Sequence, residues 1–251
     1  MNKSTKLTDT EGYLWSYITK NTNSIARYSI SELSEAANVS NATITRTLQK
    51  KGYNGFSDFK HSIVMQKKDQ LNILDSKKMA MDTKHSIVKN YQEVVRTLNM
   101  LDVDALEEAI PQLTEAKRII IFARGFSEML GKELLVKFQL LHKYCEMHTD
   151  PNIIVPVSKQ LLPHDFVLFI SLNGETASLV TAAKNCQQNN IPNLLITANK
   201  SGSLAKFARL KLYGFKTELS YFPDFEVHSR LPLYILGRVL LDTFSASVQS
   251  K

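Results

Sequence analysis

The sequence predicts two parts of different class: an all-helical N-terminal bundle, then an α/β domain with a parallel sheet of about five strands and helices on both faces. Two observations carry this. Residues 7–68 place apolar side chains at helical spacing only, whereas from Lys117 short apolar, β-prone runs alternate with segments of helical length. The basic excess is also uneven, with ten Lys and Arg against five Asp and Glu in residues 1–68, a net charge of +5, and only +2 in the remaining 183 residues. The expected organisation is a helical domain over 1–76, a helical linker over 77–106 and the α/β domain over 107–251.

In the helical part, Thr8 and Glu11 form a capping-box pattern ahead of Leu14, Trp15 and Ile18. Ser29 and Glu32 repeat it ahead of Leu33, Ala36 and Ala37. Ser40 is placed to cap the next helix, with Ile44 and Leu48 facing inward and Gly52 at its end. A fourth helix is expected from Ser57, burying Phe59 and Ile63. Residues 69–86 read as a connector, and 87–114 as a longer amphipathic helix through Val88, Tyr91, Val95, Leu98, Leu101, Leu106 and Ile110, with Asp102 as a candidate break.

The strands expected next are "RIIIFA", "KYCEMHT", "FVLFIS", "NLLITA" and "RLKLYG". Near-continuous apolar runs suit a parallel sheet covered on both faces. No apolar run reaches membrane-spanning length, and the first residues lack the uninterrupted apolar core of a signal peptide. Cys145 and Cys186 are too few and too isolated for a disulfide framework or a metal knuckle. The expected setting is the reducing cytoplasm, with no membrane partner, no metal and no cofactor.

The stretch "SELSEAANVSNATITRTLQKKGY", residues 31–53, has the layout of a helix-turn-helix: a helix over 32–37, a short turn and a helix over 41–51. Stepping about 100° per residue from Ile44 and Leu48, Ala42, Thr43, Arg46, Gln49 and Lys50 point outward, with Thr45 at the margin. Arg and Gln reach guanine and adenine edges, and Thr or Ala methyls meet a thymine methyl. Lys50, Lys51 and Lys60 suit phosphates. On these residues alone a plain helical bundle with a polar face stands beside the DNA-binding reading.

"SISELSEAANVSNATITRTLQKKGYNGFSDFK" closely resembles the N-terminal domain of RpiR-type transcriptional regulators, through Ser40–Thr43, Arg46 and the tail Gly52–Lys60. Thr47 and Lys51 stand where that family has Phe and Leu. The resemblance implies double-stranded operator DNA as partner, read by the helix that Ser40 caps.

In the α/β part, polar loops follow three strand ends, where open α/β sheets place their ligands. "ARGFSEML" offers Gly125 and Ser127; "SLNGETASL" offers Ser171, Asn173, Gly174, Thr176 and Ser178; "TANKSGSLAKFA" offers Thr197, Ser201 and Ser203. Such a loop opening a helix suits a phosphate monoester, and the same residues serve as ordinary caps in most strand-to-helix turns. Residues 107–247 resemble the sugar isomerase (SIS) domain that accompanies the RpiR-type domain, with "SLNGET" at its phosphate loop, "ARGFS" at its glycine turn and "HSRLPLYIL" at its last helix. The resemblance implies a phosphorylated sugar held by Gly125, Ser127, Ser171, Asn173, Gly174 and Thr176. Asn173 replaces a serine of that pattern, and Ala123 followed by Arg124 replaces a glycine.

An isomerase would need a positioned base, for which Glu175, Glu226 and His228 are the candidates, each with a plain loop role as the simpler account. No catalytic residue is assigned. The expectation is a DNA-binding regulator of sugar metabolism tuned by a phosphorylated sugar, acting as a homodimer or homotetramer. The long helix over 87–114 and the leucines of 229–247 are candidates for its dimer face or for plain core. The alternatives are an isomerase fused to a DNA-binding domain, or a regulator whose SIS-like domain serves only assembly.

Overall fold

A computed structural model describes residues 7–25, 27–60, 63, 79–218, 222 and 227–249. The chain divides into two units, Met1–Val88 and Lys89–Lys251.

The first unit opens with α1 (Asp9–Lys20), α2 (Thr22–Ile25), α3 (Ile30–Ala37) and α4 (Asn41–Lys50). Both expected capping boxes form: the Thr8 and Ser29 hydroxyls accept the Glu11 and Glu32 amides, and each Glu accepts its cap's amide in return. Asn38 ends α3 in the left-handed conformation, φ 51°. Its N–H donates to Glu35 O while Val39 N–H donates to Ser34 O, which satisfies the last carbonyls and turns the chain sharply into α4. At the end of α4, Gly52 takes φ 87° and the Tyr53 amide reaches back to Leu48 O. Leu14, Ile18, Ile25, Leu33, Ala37, Ile44, Leu48, Phe56, Phe59 and Ile63 close one core. Thr47 lies inside this unit, fully buried, with its hydroxyl donating to Thr43 O. The expected connector over 69–86 lies outside the described residues as far as residue 78.

The helix expected over 87–114 is two helices, α5 (Met81–Asn99) and α6 (Val103–Glu115), broken where Asp102 caps α6 through the Ala105 amide. The apolar stripe expected for its first half is not the buried one. Gln92, Glu93 and Thr97 are buried, while Leu98 is exposed. Residues 89–99 of α5 belong to the second unit.

The second unit continues with β1 (Arg118–Ala123), a 3-10 turn (Gly125–Ser127), α7 (Glu128–Leu140), β2 (Cys145–His148), α8 (Pro151–Lys159) and β3 (Asp165–Ile170). It ends with α9 (Ala177–Gln188), β4 (Asn193–Thr197), a 3-10 turn (Ser203–Lys206), β5 (Leu210–Tyr213) and α10 (Leu231–Gln249). The five strands form one sheet in the order β2-β1-β3-β4-β5, each pair parallel. Alternate residues feed opposite faces. Ile119, Ile121, Phe166, Leu168, Leu194 and Ile196 pack with side chains of α6, α7 and α10. Ile120, Phe122, Val167, Phe169 and Leu195 pack with Ile154 of α8 and Leu179, Ala182 and Cys186 of α9. Leu233, Leu236, Leu240 and Leu241 of α10 belong to the first of these cores, which settles them as core residues.

Candidate functional site

The turn at Asn38 sets α4 across α3, and α4 presents the DNA-reading candidates. Ala42, Arg46 and Gln49 are exposed, and Thr43 and Thr45 are half-buried. The exposed Ser40 caps α4, its hydroxyl accepting the Thr43 amide at 3.2 Å and pairing with the Thr43 hydroxyl at 2.9 Å. Thr45 Oγ1 donates to Asn41 O at 3.0 Å. Arg46 Nε rests on Ala42 O at 3.3 Å, and its terminal nitrogens take no protein partner among the described residues.

The lysines expected to meet phosphates also have partners within the protein. Lys50 Nζ lies 2.7 Å from Glu11 Oε2 on α1, so it ties α4 to α1. That hydrogen bond, with the Thr8 amide behind it, holds the Glu11 carboxyl below its ordinary pKa. Lys51 lies over the Trp15 ring, 5.0 Å from its centroid, and Lys60 Nζ donates to Tyr28 O at 2.8 Å. Ala42, Arg46 and Gln49 remain the outward candidates that make no ion pair among the described residues. The periodicity of α4 could not reveal Glu11, which lies 39 residues away.

In the second unit the strand order reverses direction of growth between β1 and β3, and it is beyond the C-terminal ends of strands at such a reversal that open α/β sheets bind their ligands. After β1, Gly125 is exposed and its amide donates to Glu128 Oε1 at 2.9 Å. Ser127 is buried and makes no capping bond. The Arg124 guanidinium turns to the carbonyl of Thr149.

After β3, the Ser171 hydroxyl is buried and accepts the Gly174 amide at 3.2 Å, curling the loop on itself. Gly174 has φ 68°, and the Gly202 Cα lies where its backbone passes closest. A Cβ on Gly202 would come within 2.7 Å of Asn173 O, so this approach needs glycine. Thr176 occupies the cap position of α9, yet its hydroxyl makes no capping bond. The first amides of α9 are thus open to an anion.

The loop after β4 buttresses this one. Thr197 is fully buried and donates to Leu172 O; Asn199 Nδ2 donates to Asn173 O at 2.9 Å; Ser203 N donates to Glu175 Oε1 at 2.8 Å. Thr197 and Ser203 therefore hold the second loop in place, and Ser201 stays exposed. Ser178 is half-buried in the first turn of α9.

Residues the sequence reading passed over complete the rim. Lys216 Nζ lies 3.2 Å from Asn173 Oδ1. Its neighbours are fixed from α5: the Phe215 amide donates to Thr97 Oγ1, and the Thr217 amide and hydroxyl both donate to Glu93 Oε1. The only sequence signal was a polar run, "FKTE", directly after the last strand.

Of the base candidates, Glu175 is exposed, and its bonds from Ser203 hold its carboxyl below the ordinary pKa. His228 is half-buried with no partner on Nδ1 among the described residues, and its carbonyl accepts Arg230. Glu226 lies outside the described residues.

Residues 1–70 match the helix-turn-helix domain of the rpiR family, and residues 112–220 match the SIS domain. An uncharacterised HTH-type transcriptional regulator of Thermotoga maritima is 32% identical over 195 residues, covering 75% of this chain and 70% of its own. The HTH-type transcriptional regulator GlvR of Bacillus subtilis is 25% identical, over 95% of this chain and 91% of its own. Among solved structures, Vibrio vulnificus NanR complexed with ManNAc-6P superposes with a TM-score of 0.60 at 19% identity, covering 97% of this chain and 89% of that one. At that identity the likeness speaks for the fold.

Proposed function

Since the chain belongs to the rpiR family of helix-turn-helix transcriptional regulators, we propose that it regulates sugar-metabolism genes and that a phosphorylated sugar, bound in its SIS domain, tunes its affinity for DNA. The observation carrying the ligand half is the loop 171–176, where an uncommitted Thr176 hydroxyl and the open amides of α9 follow β3, beside the point where the strand order reverses between β1 and β3. A phosphate monoester, with charge near −2 and three acceptor oxygens, suits that set of donors. NanR, which shares the fold, was solved with the sugar phosphate ManNAc-6P, which supports the same ligand class here.

In this reading Ser171, Asn173 and Thr176 supply side-chain contacts and Gly174 lets the phosphate approach the backbone. Gly125 and Ser127 line the sugar side. On DNA, Arg46 and Gln49 read base edges, Ala42, Thr43 and Thr45 face the groove, and Ser40 fixes the start of α4. Lys50 is assigned to holding α4 on α1 and not to a phosphate. Two copies would set their α4 helices about one DNA turn apart on a palindromic site. Their contact surface must come from residues other than the buried leucines of α10.

An isomerase activity is less well supported. Glu175, held ionised by Ser203, is a weak base, and the relatives are named as transcriptional regulators.

Thermal melting of the full chain against hexose 6-phosphates, N-acetylhexosamine 6-phosphates and their unphosphorylated parents tests the ligand half. At a hundredfold excess over Kd the expected rise is about 5–10 °C for one phosphosugar, absent for its parent and lost in Thr176→Ala. A parent sugar that shifts melting equally, or a panel with no shift at all, would overturn it.

A further inference from the structure

We propose that Lys216 is a ligand-contacting residue of this site, its ammonium meeting the effector's phosphate, and that Glu93 and Thr97 of α5 are the positioning residues that keep it there. The inference rests on the phosphosugar reading above and names a determinant of it.

The backbone around Lys216 is pinned at three places. The Gly214 amide donates to Thr197 O at 2.8 Å, and a Cβ on Gly214 would come within 2.7 Å of Pro232. Phe215 N donates to Thr97 Oγ1 at 3.0 Å, and Thr217 gives Glu93 Oε1 two hydrogen bonds, at 3.1 and 2.8 Å. Glu93 and Thr97 are both fully buried. A fully buried carboxylate is costly, and this one keeps Oε2 without a partner among the described residues. An ordinary strand-to-helix connection has no need of such a group. Here it fixes the residue after Lys216, Thr97 fixes the residue before it, and the half-buried Lys216 side chain reaches the phosphate loop.

Its point of arrival is informative. Lys216 Nζ meets Asn173 Oδ1 at 3.2 Å, the position where an amide stands in the loop in place of a hydroxyl. With Oδ1 turned to the ammonium, the Asn173 Nδ2 donors are left for a ligand. The amide therefore both retains a donor and recruits a cation. Apart from the Glu175 carboxyl, which accepts the Ser203 amide, the loop offers neutral hydroxyls and the partial charge of a helix N-terminus, about half a unit. A lysine adds a full point charge, the form in which that side chain binds phosphates.

The test is calorimetric titration of the full chain with hexose 6-phosphates, N-acetylhexosamine 6-phosphates and inorganic phosphate, at low and high ionic strength. Lys216→Ala is expected to weaken phosphosugar binding about tenfold or more and to flatten its salt dependence, while Lys216→Arg stays within about threefold. Glu93→Ala is expected to weaken binding similarly, with the Glu93→Ala/Lys216→Ala double variant no weaker than Lys216→Ala alone. Thr97→Val gives the same cycle if Glu93→Ala does not fold. Wild-type binding lost in Thr176→Ala but unchanged in Lys216→Ala would overturn this inference and leave the phosphosugar reading standing. No binding by the wild-type chain would overturn both. Additive losses in the double variant would remove Glu93 and Thr97 from the positioning role.

Discussion

Arg46, Gln49 and Lys50 sit within five residues of one another, yet their contacts differ. All three are exposed, but Lys50 is also bonded to Glu11. Arg46→Ala and Gln49→Ala are each expected to weaken operator binding by about 1–3 kcal/mol, without lowering the melting temperature, as fluorescence anisotropy and calorimetry would register. Lys50→Met acts on folding instead. Because the Glu11 carboxyl is held below its ordinary pKa, its contribution is present above the unfolded-state value and is lost as pH falls through the lowered folded-state value. Removing Lys50 should shrink that acid-side loss, so melting of Lys50→Met should depend less on pH below about 4 than wild type. Equal pH dependence would contradict the assignment. Asn38 at φ 51° gives a local counterpart: Asn38→Val should cost about 1–2 kcal/mol in denaturant unfolding. Caps and turns of this kind were legible because partners three residues apart are visible in sequence. The pairs Lys50–Glu11 and Lys216–Asn173 were not, because they join separate elements.

The strands illustrate what sequence yields at the scale of elements. Each apolar run became a strand, since a sheet covered on both faces leaves no polar alternation to mislead. Helix α5 illustrates the converse. Its apolar positions Val88, Tyr91, Val95 and Leu98 suggested the inward face, but its partner is the polar segment 215–217, so Glu93 and Thr97 turn inward. Periodicity assumes an apolar neighbour and misreads a helix whose neighbour is a hydrogen-bonded loop. The thiols test the packing of the sheet. Cys145 on β2 and Cys186 on α9 are buried, and burial pushes both up to about 12. Neither should react with a disulfide reagent at pH 8 in the folded chain, and both should react in urea. Rapid reaction of either before unfolding would contradict the packing described.

For the molecule as a whole, the change of period and the charge imbalance announced two parts, and each has its own core. Their division at residues 88 and 89 was not legible, since it falls inside α5. That helix begins among the residues of the first unit and carries Glu93 and Thr97 in the second. A ligand can change DNA affinity only by favouring one arrangement of the protein over another, and α5 is the helix within which the two units divide. The most direct test uses a duplex selected by the full chain from a random library, with DNA affinity measured by anisotropy with and without the phosphosugar that raises its melting temperature. The account predicts a change in Kd of about fivefold or more, in either direction, that disappears in Thr176→Ala. An unchanged Kd at saturating phosphosugar would contradict it.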